Sequence, residues 1–247
     1  MTEGPFFVAG ATGLTGRAVV QTLRARDAQV LPHVRPESPQ RAAWEARFAA
    51  LGASTDTTPW DAEAFASRFA SLRPRVVFAC LGTTRARARQ AAREGRSPAT
   101  ESYAAVDVGM TRMLIEAARG AGVQRFVYLS SIGAAPRGNA YLAARAEVEE
   151  TLRRSGVPFS IARPSLILGD RDVKRPFERT IGRLADGTLG VLGSLGARTL
   201  RDRYRSIESE DLARAVVQLA VDPAWENRTA EGEHLQALAA ASRDGRR

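Results

Sequence analysis

Phe6-Phe7-Val8-Ala9-Gly10-Ala11-Thr12-Gly13-Leu14-Thr15-Gly16 is an apolar run that closes in three glycines spaced three apart. Leu14, Ala18, Val19 and Leu23 then recur at helical spacing. The stretch predicts a strand over 6–9, a glycine turn, and a helix over 14–26. That order is the one a nucleotide pyrophosphate needs. Gly10 lets the chain leave the strand tightly, Gly13 lets backbone approach the phosphates with no Cβ between, and Gly16 lets the helix pack closely on the sheet. The helix start adds N–H groups and the positive end of the helix dipole. Three glycines alone are a weak signal, and the strand before and helix after them are what give this one meaning.

The rhythm continues outward. Strands are expected over 29–34, 53–56, 75–80, 125–130 and 158–162. Helices are expected over 40–50 with Trp44 and Phe48 on one face, 61–72 with Phe65 and Phe69, 102–121 and 141–155. Strands alternating with helices imply an α/β chain with a Rossmann-type, doubly wound parallel sheet covered on both faces. The run Val76-Val77-Phe78-Ala79 is apolar throughout, as a strand buried on both faces requires. After Pro164 the alternation breaks, 170–206 is rich in Gly, Arg and Asp, a helix resumes over 208–220, and the tail is expected to fray from Arg243. We expect one domain over 1–247, with a dinucleotide-binding core over 3–167. A small substrate-capping region with C-terminal helices follows over 168–247.

The chain has 247 residues and a formal net charge of +9. Such a charge first suggests nucleic acid. Of the 36 basic residues, however, only Lys174 is a lysine, alanine is abundant, and the arginines are spread along the whole chain. That is the pattern of codon bias in a GC-rich genome, and no nucleic-acid-binding motif accompanies it. The basic segment Arg85, Arg87, Arg89, Arg93, Arg96 reads as a solvated loop beside the strand over 75–80. No apolar run of membrane-spanning length exists, so no membrane partner is expected. Cys80 is the only cysteine, which excludes an intrachain disulfide, and no secretory leader is visible. These features predict a cytoplasmic protein. One cysteine and two histidines leave little for a metal site, and none is expected.

The expected second strand ends in His33-Val34-Arg35. A carboxylate about 20 residues past the glycines would hold the ribose hydroxyls of NAD. Here Arg35 stands at the strand end and Glu37 lies beyond a proline. A guanidinium suits a 2′-phosphate by charge and by its forked donors, so NADP(H) is expected over NAD(H). His33 reads as a structural or exposed strand-end residue, and Cys80 as a small buried one. Gly82, in Cys80-Leu81-Gly82-Thr83-Thr84, permits close backbone approach at the sheet's carboxyl edge. Further on, Ser130-Ser131 ends a strand, Tyr141 opens a helix, and Arg145 lies four residues later on the same face. A tyrosine beside a fixed cation is suited to proton transfer, and a serine hydroxyl to holding a carbonyl, while hydride passes to or from nicotinamide.

These residues together resemble the short-chain dehydrogenase/reductase superfamily, in its atypical branch, and most of all the Tat-interacting-protein-like oxidoreductases. The likeness rests on the glycine stretch from Gly10 to Gly16, Cys80-Leu81-Gly82-Thr83-Thr84, Val106-Asp107, Ser130-Ser131-Ile132-Gly133-Ala134, Tyr141-Leu142, Glu147-Val148-Glu149 and Arg163-Pro164-Ser165-Leu166. The resemblance implies that Gly10, Thr12, Gly13, Leu14, Thr15 and Gly16 cradle the coenzyme phosphates, with Arg35 at the adenosine ribose. It implies that Leu81, Gly82 and Thr83 line the middle of the coenzyme, and that Pro164 and Ser165 lie beside the nicotinamide. Ser131, or Ser130, matches the active-site serine, Tyr141 the tyrosine, and Asp107 stands where many relatives carry asparagine. The chain departs from the pattern at Arg145, where the family has lysine. Arginine supplies the charge and donors but does not readily give up its proton. Either codon drift exchanged the two, or catalysis was lost and coenzyme binding kept.

The leading expectation is an NADP(H)-dependent oxidoreductase acting on a small carbonyl or alcohol, with Tyr141 as general acid or base, Ser131 orienting the oxygen, and Arg145 at the ribose. The alternative is a non-catalytic NAD(P)(H)-binding redox sensor. A sugar-nucleotide epimerase or dehydratase fits less well, because few residues follow Pro164. A small-molecule substrate is expected, in a monomer or homodimer.

Overall fold

The computed structural model describes residues 4–83, 93, 95, 97, 99, 102–169 and 206–244. Six strands form one sheet: β1 (Phe6–Ala9), β2 (Val30–Pro32), β3 (Val76–Ala79), β4 (Arg125–Leu129), β5 (Phe159–Arg163) and, last in the chain, β8 (Arg228–Glu231). Their order is β2-β1-β3-β4-β5-β8 and every pairing is parallel. A separate pair, β6 (Ile167–Leu168) and β7 (Ile207–Glu208), lies apart from that sheet.

The side-chain alternation of the strands divides the core into two layers. Val8, Phe78, Val127, Leu129 and Ala162 face one side, packed with α1 (Leu14–Arg24), α2 (Arg41–Ala50) and α6 (Ser209–Val221). Phe7, Ala9, Val77, Ala79, Phe126, Tyr128 and Ile161 face the other, under α3 (Ala62–Leu72), α4 (Thr111–Ala121) and α5 (Ala140–Arg154). Phe7, Phe65 and Phe69 meet edge to face in this second layer, with ring centroids 4.9 to 6.2 Å apart. The doubly wound parallel sheet read from the alternation is therefore present.

Three local expectations are corrected. Residues 53–56 form no strand: only His33 and Asp56 make an isolated bridge. The chain turns away there because Asp56 Oδ1 accepts the Thr58 N–H at 3.0 Å and Oδ2 takes Arg68 at 2.6 Å, a local turn that competes with a ladder. The helix expected over 102–121 begins instead as a π-helix (Tyr103–Met110), capped by Ser102, and becomes α-helical only at Thr111. Arg243 and Asp244, expected to fray, close α7 (Gly232–Asp244), with Arg243 ion-paired with Asp211, and 245–247 lie outside the described residues. β8 went unread because Arg-Thr-Ala-Glu shows no apolar alternation; it is an edge strand held by pairing with β5. Apart from Arg93, the arginines of the expected basic loop lie outside the described residues, as does nearly all of 170–206.

Candidate active site

Because the strands are parallel, their carboxyl ends lie along one edge of the sheet. Gly10 follows β1, Leu81-Gly82-Thr83 follows β3, Ser130-Ser131 follows β4, and Pro164-Ser165 follows β5. The topology thus gathers the sequence-predicted residues on the edge where ligands of such sheets sit.

At β1 the chain leaves with Gly10 at φ +75°, a left-handed conformation that favours glycine. A Cβ there would stand 2.4 Å from the Cys80 carbonyl oxygen. The Gly13 N–H donates to the Gly10 carbonyl at 3.0 Å and closes the turn. Gly13 is the N-cap of α1 and exposed; it provides no side chain to the helix N–H groups, and no carboxylate stands in the first turn. The positive end of α1 is therefore open to an anion. A Cβ on Gly16 would meet the Gly10 oxygen at 2.2 Å, so loop and helix touch through bare backbone. Thr12 and Leu14 are half-buried and Thr15 is buried. This cradle, which a side chain would fill, fits a dinucleotide pyrophosphate.

Past β2, Arg35 is about one third exposed and its Nε lies 4.0 Å from Glu37. Such a surface pair is weak. His33 is buried among Phe7, Trp60 and Phe65, with Nε2 2.7 Å from the Thr58 carbonyl. Burial lowers its pKa despite that bond, so it is a structural histidine. Trp44 is buried in the core beside Phe48, with the guanidinium carbons of Arg47 and Arg17 at 4.8 and 5.6 Å from its ring. Cys80 is half-buried rather than buried as expected, and desolvation pushes its thiol up to about 12 against the pull of Arg145.

Asn139 sets the start of α5, its side chain accepting the N–H groups of Tyr141 and Leu142 at 3.1 Å each. Tyr141, half-buried, thus sits in the first turn, and Arg145 falls one turn below it. The Arg145 guanidinium carbon is 5.1 Å from the Tyr141 ring centroid and 5.7 Å from that of Tyr128. Arg145 is buried, and its Nη atoms donate to Leu81 O (both at 3.1 Å), Leu129 O (2.8 Å) and the Tyr128 hydroxyl (3.3 Å). Burial opposes its charge, but the tyrosine hydroxyls and Asp107 outweigh that and hold its pKa above the ordinary value. Burial likewise pushes the Tyr128 hydroxyl up to about 12, partly offset by Arg145.

The two serines divide. Ser130 is buried and donates to Glu149 Oε1 at 2.6 Å, whereas Ser131 is half-buried and, among the described residues, its hydroxyl has only a long 3.4 Å contact with Ile132 O. The Ile132 N–H donates to Pro164 O at 2.9 Å, which draws the Ser131 segment against Pro164 and half-buried Ser165. Sequence reasoning missed the network behind Ser130. Glu149, fully buried, receives Arg163 at 2.8 and 2.6 Å and Arg153 at 2.8 Å, and Arg163 also binds Glu231 at 2.9 Å. Burial would raise the Glu149 pKa, but bonds from Arg163, Ser130 and Arg153 hold it below the usual range. The signal was faint: five ordinary polar residues on four separate segments.

Sheet and cradle define a Rossmann-type dinucleotide-binding protein. The chain belongs to the NAD(P)H-binding family, whose pattern matches residues 10–223. It is 32% identical over 215 residues to "Protein fmp52, mitochondrial" of Emericella nidulans, covering 84% of this chain and 83% of that one. It is 30% identical over 221 residues to "Protein FMP52, mitochondrial" of Chaetomium globosum, covering 86% and 85%. In fold it is similar to a putative NAD-dependent epimerase/dehydratase from Bacillus halodurans, with TM-score 0.65, 19% identity and coverage of 96% and 99%. The yeast methylglyoxal/isovaleraldehyde reductase Gre2, solved with NADPH, is similar at TM-score 0.62 and 16% identity, with 92% and 78% covered. These findings agree with the short-chain dehydrogenase/reductase resemblance. They overturn the cytoplasmic placement, because the relatives' names place them in mitochondria. A lone cysteine excludes an intrachain disulfide but does not tell one compartment from another.

Proposed function

We propose that the protein is an NADP(H)-dependent oxidoreductase acting on a small carbonyl or alcohol. The observation that carries this reading is Tyr141 stacked on the buried Arg145 cation at the sheet edge that also holds the glycine cradle. The cradle from Gly10 to Gly16, including Thr12, Gly13, Leu14 and Thr15, binds the pyrophosphate. Arg35 meets the 2′-phosphate. Leu81, Gly82 and Thr83 flank the middle of the coenzyme, and Pro164 and Ser165 its nicotinamide end. The nicotinamide, when bound, supplies or accepts the hydride. Ser131, whose hydroxyl is less committed than that of Ser130, hydrogen-bonds the substrate oxygen. Tyr141 gives a proton to that oxygen in reduction and takes it in oxidation. The Arg145 guanidinium carbon lies 5.1 Å from the Tyr141 ring centroid, a cation–π contact that holds the ring beside it. No helix among the described residues is long and apolar enough to cross a membrane. We propose a small-molecule substrate rather than nucleic acid or membrane, and a monomer or homodimer.

The test is NADPH-dependent turnover across aldehydes, ketones and quinones. Tyr141→Phe is expected to lower kcat at least 100-fold while calorimetry gives an unchanged coenzyme Kd. Unchanged turnover in Tyr141→Phe sinks the assignment. A second reading, a coenzyme-binding redox sensor, is favoured by one feature: both Arg145 Nη atoms already serve protein acceptors. Tight NADPH binding with no turnover on any carbonyl would favour it.

A further inference from the structure

We infer that Asp107 and Arg145 form one matched, buried ion pair, and that Asp107 is a positioning residue which fixes the Arg145 guanidinium against the Tyr141 ring. The inference rests on the proposed role of Tyr141 and concerns residues on three elements that the sequence does not link.

Asp107 lies on the π-helix with its side chain wholly buried, and its Oδ1 is 2.8 Å from Arg145 Nη2. Its other oxygen, Oδ2, accepts the Thr83 N–H at 3.1 Å. Among the described residues Oδ1 has no hydrogen-bond donor in good geometry, so the contact with Arg145 is a charge contact at short range. Burial raises the Asp107 pKa, and Arg145 and the Thr83 N–H pull it back. Removing either partner leaves an uncompensated buried charge, the costly case.

The space is matched as closely as the charge. A Cβ on Gly82 would lie 2.8 Å from Arg145 Nη2 and 4.0 Å from Asp107 Oδ1. The missing side chain of Gly82 is therefore the room the guanidinium occupies. The π-helix supplies the third fit, because its wider turn sets Asp107 opposite α5, and such turns recur at functional sites. A planar fork serves Leu81 O and Leu129 O together while facing the carboxylate, which a single ammonium does less well. Both Arg145 Nη atoms are thereby engaged within the protein, and its buried Nε is left without an acceptor among the described residues. The guanidinium acts on the reaction through the Tyr141 ring and the ends of β3 and β4.

The test combines a charge cycle with a steric route to the same lesion. Asp107→Asn, Arg145→Met and their double variant are compared by thermal melting, and coenzyme Kd is measured calorimetrically for wild type and Asp107→Asn. Arg145→Met alone leaves Asp107 buried and unpaired, so the double variant should melt several degrees above it. Asp107→Asn should lower kcat at least tenfold with coenzyme Kd within threefold of wild type. Gly82→Ala keeps both charges and pushes on the guanidinium; because Gly82 also flanks the coenzyme, its coenzyme Kd is measured too, and kcat should fall comparably with Kd within threefold of wild type and folding intact. Additive melting losses, or an Asp107→Asn enzyme with unchanged kcat, would overturn the proposal. If wild type itself proves inactive, the Tyr141 reading fails, and the melting cycle alone decides whether the matched pair exists.

Discussion

Replacing Gly16 by alanine tests the closest contact in the cradle. An ideal Cβ at Gly16 would stand 2.2 Å from the Gly10 oxygen, 2.8 Å from its carbonyl carbon and 2.9 Å from Ala11 Cα. All three atoms are backbone, so no side chain can swing aside. A helical glycine exchanged for alanine ordinarily gains about 0.5–1 kcal/mol. Gly120, in α4, is the matched control, since nothing lies within 4 Å of its added Cβ. Overpacking against backbone costs about 1–3 kcal/mol, so Gly16→Ala should fall below Gly120→Ala by about that amount. In a chain of this size that is about 2–4 °C in Tm for each kcal/mol. The same displacement moves the turn away from the first N–H groups of α1, so NADPH should bind at least tenfold more weakly by calorimetry. A Gly16→Ala protein that melts with Gly120→Ala and binds coenzyme as wild type does would show that loop and helix do not meet as described.

Arg35→Ala should weaken NADPH by about 10- to 100-fold, the worth of one charge-assisted hydrogen bond, with NADH nearly unaffected; equal losses for both would remove Arg35 from the 2′-phosphate. Ser130→Ala should cost about 1–3 kcal/mol of stability by removing one charge-assisted hydrogen bond to the buried Glu149, which keeps Arg163 and Arg153, whereas Ser131→Ala should lose turnover with little change in Tm. If the two phenotypes are exchanged in denaturation and kinetic assays, the roles of the serines are exchanged too. Glu149→Gln should cost about 3 kcal/mol at neutral pH, because Arg163 and Arg153 lose a buried anion. Since folding lowers the Glu149 pKa from its ordinary 4.5, the stability it contributes is present above that value and lost as pH falls through the folded-state value. Wild type should therefore lose stability in acid more steeply than Glu149→Gln in Tm-versus-pH scans, and parallel curves would contradict the assignment.

Where information was local, it was legible. The apolar run of β1, the glycines after it and the amphipathic helix behind them lie within the 19 residues 6–24, so spacing alone gave strand, turn and helix. The continuous apolar strand Val76–Ala79 likewise announced burial on both faces. The strand expected over 53–56 failed because Asp56 spends its carboxylate on Thr58 and Arg68, a choice that depends on α3 packing nearby. β8 was invisible because its pairing partner, β5, is 68 residues away and supplies the order that its own side chains lack.

The site divides along the same line. Local spacing put Tyr141 and Arg145 on one helix face, because a helix repeats every 3.6 residues. The linear chain did not say where the guanidinium would point, which serine would remain available, or that Gly82 clears room for Arg145. Those outcomes depend on which strands are neighbours, since parallel pairing brings the ends of β3, β4 and β5 together from distant parts of the chain. Burial then decides the chemistry: a charge removed from water must find its counter-charge and acceptors at contact distance, and only the folded chain puts them there.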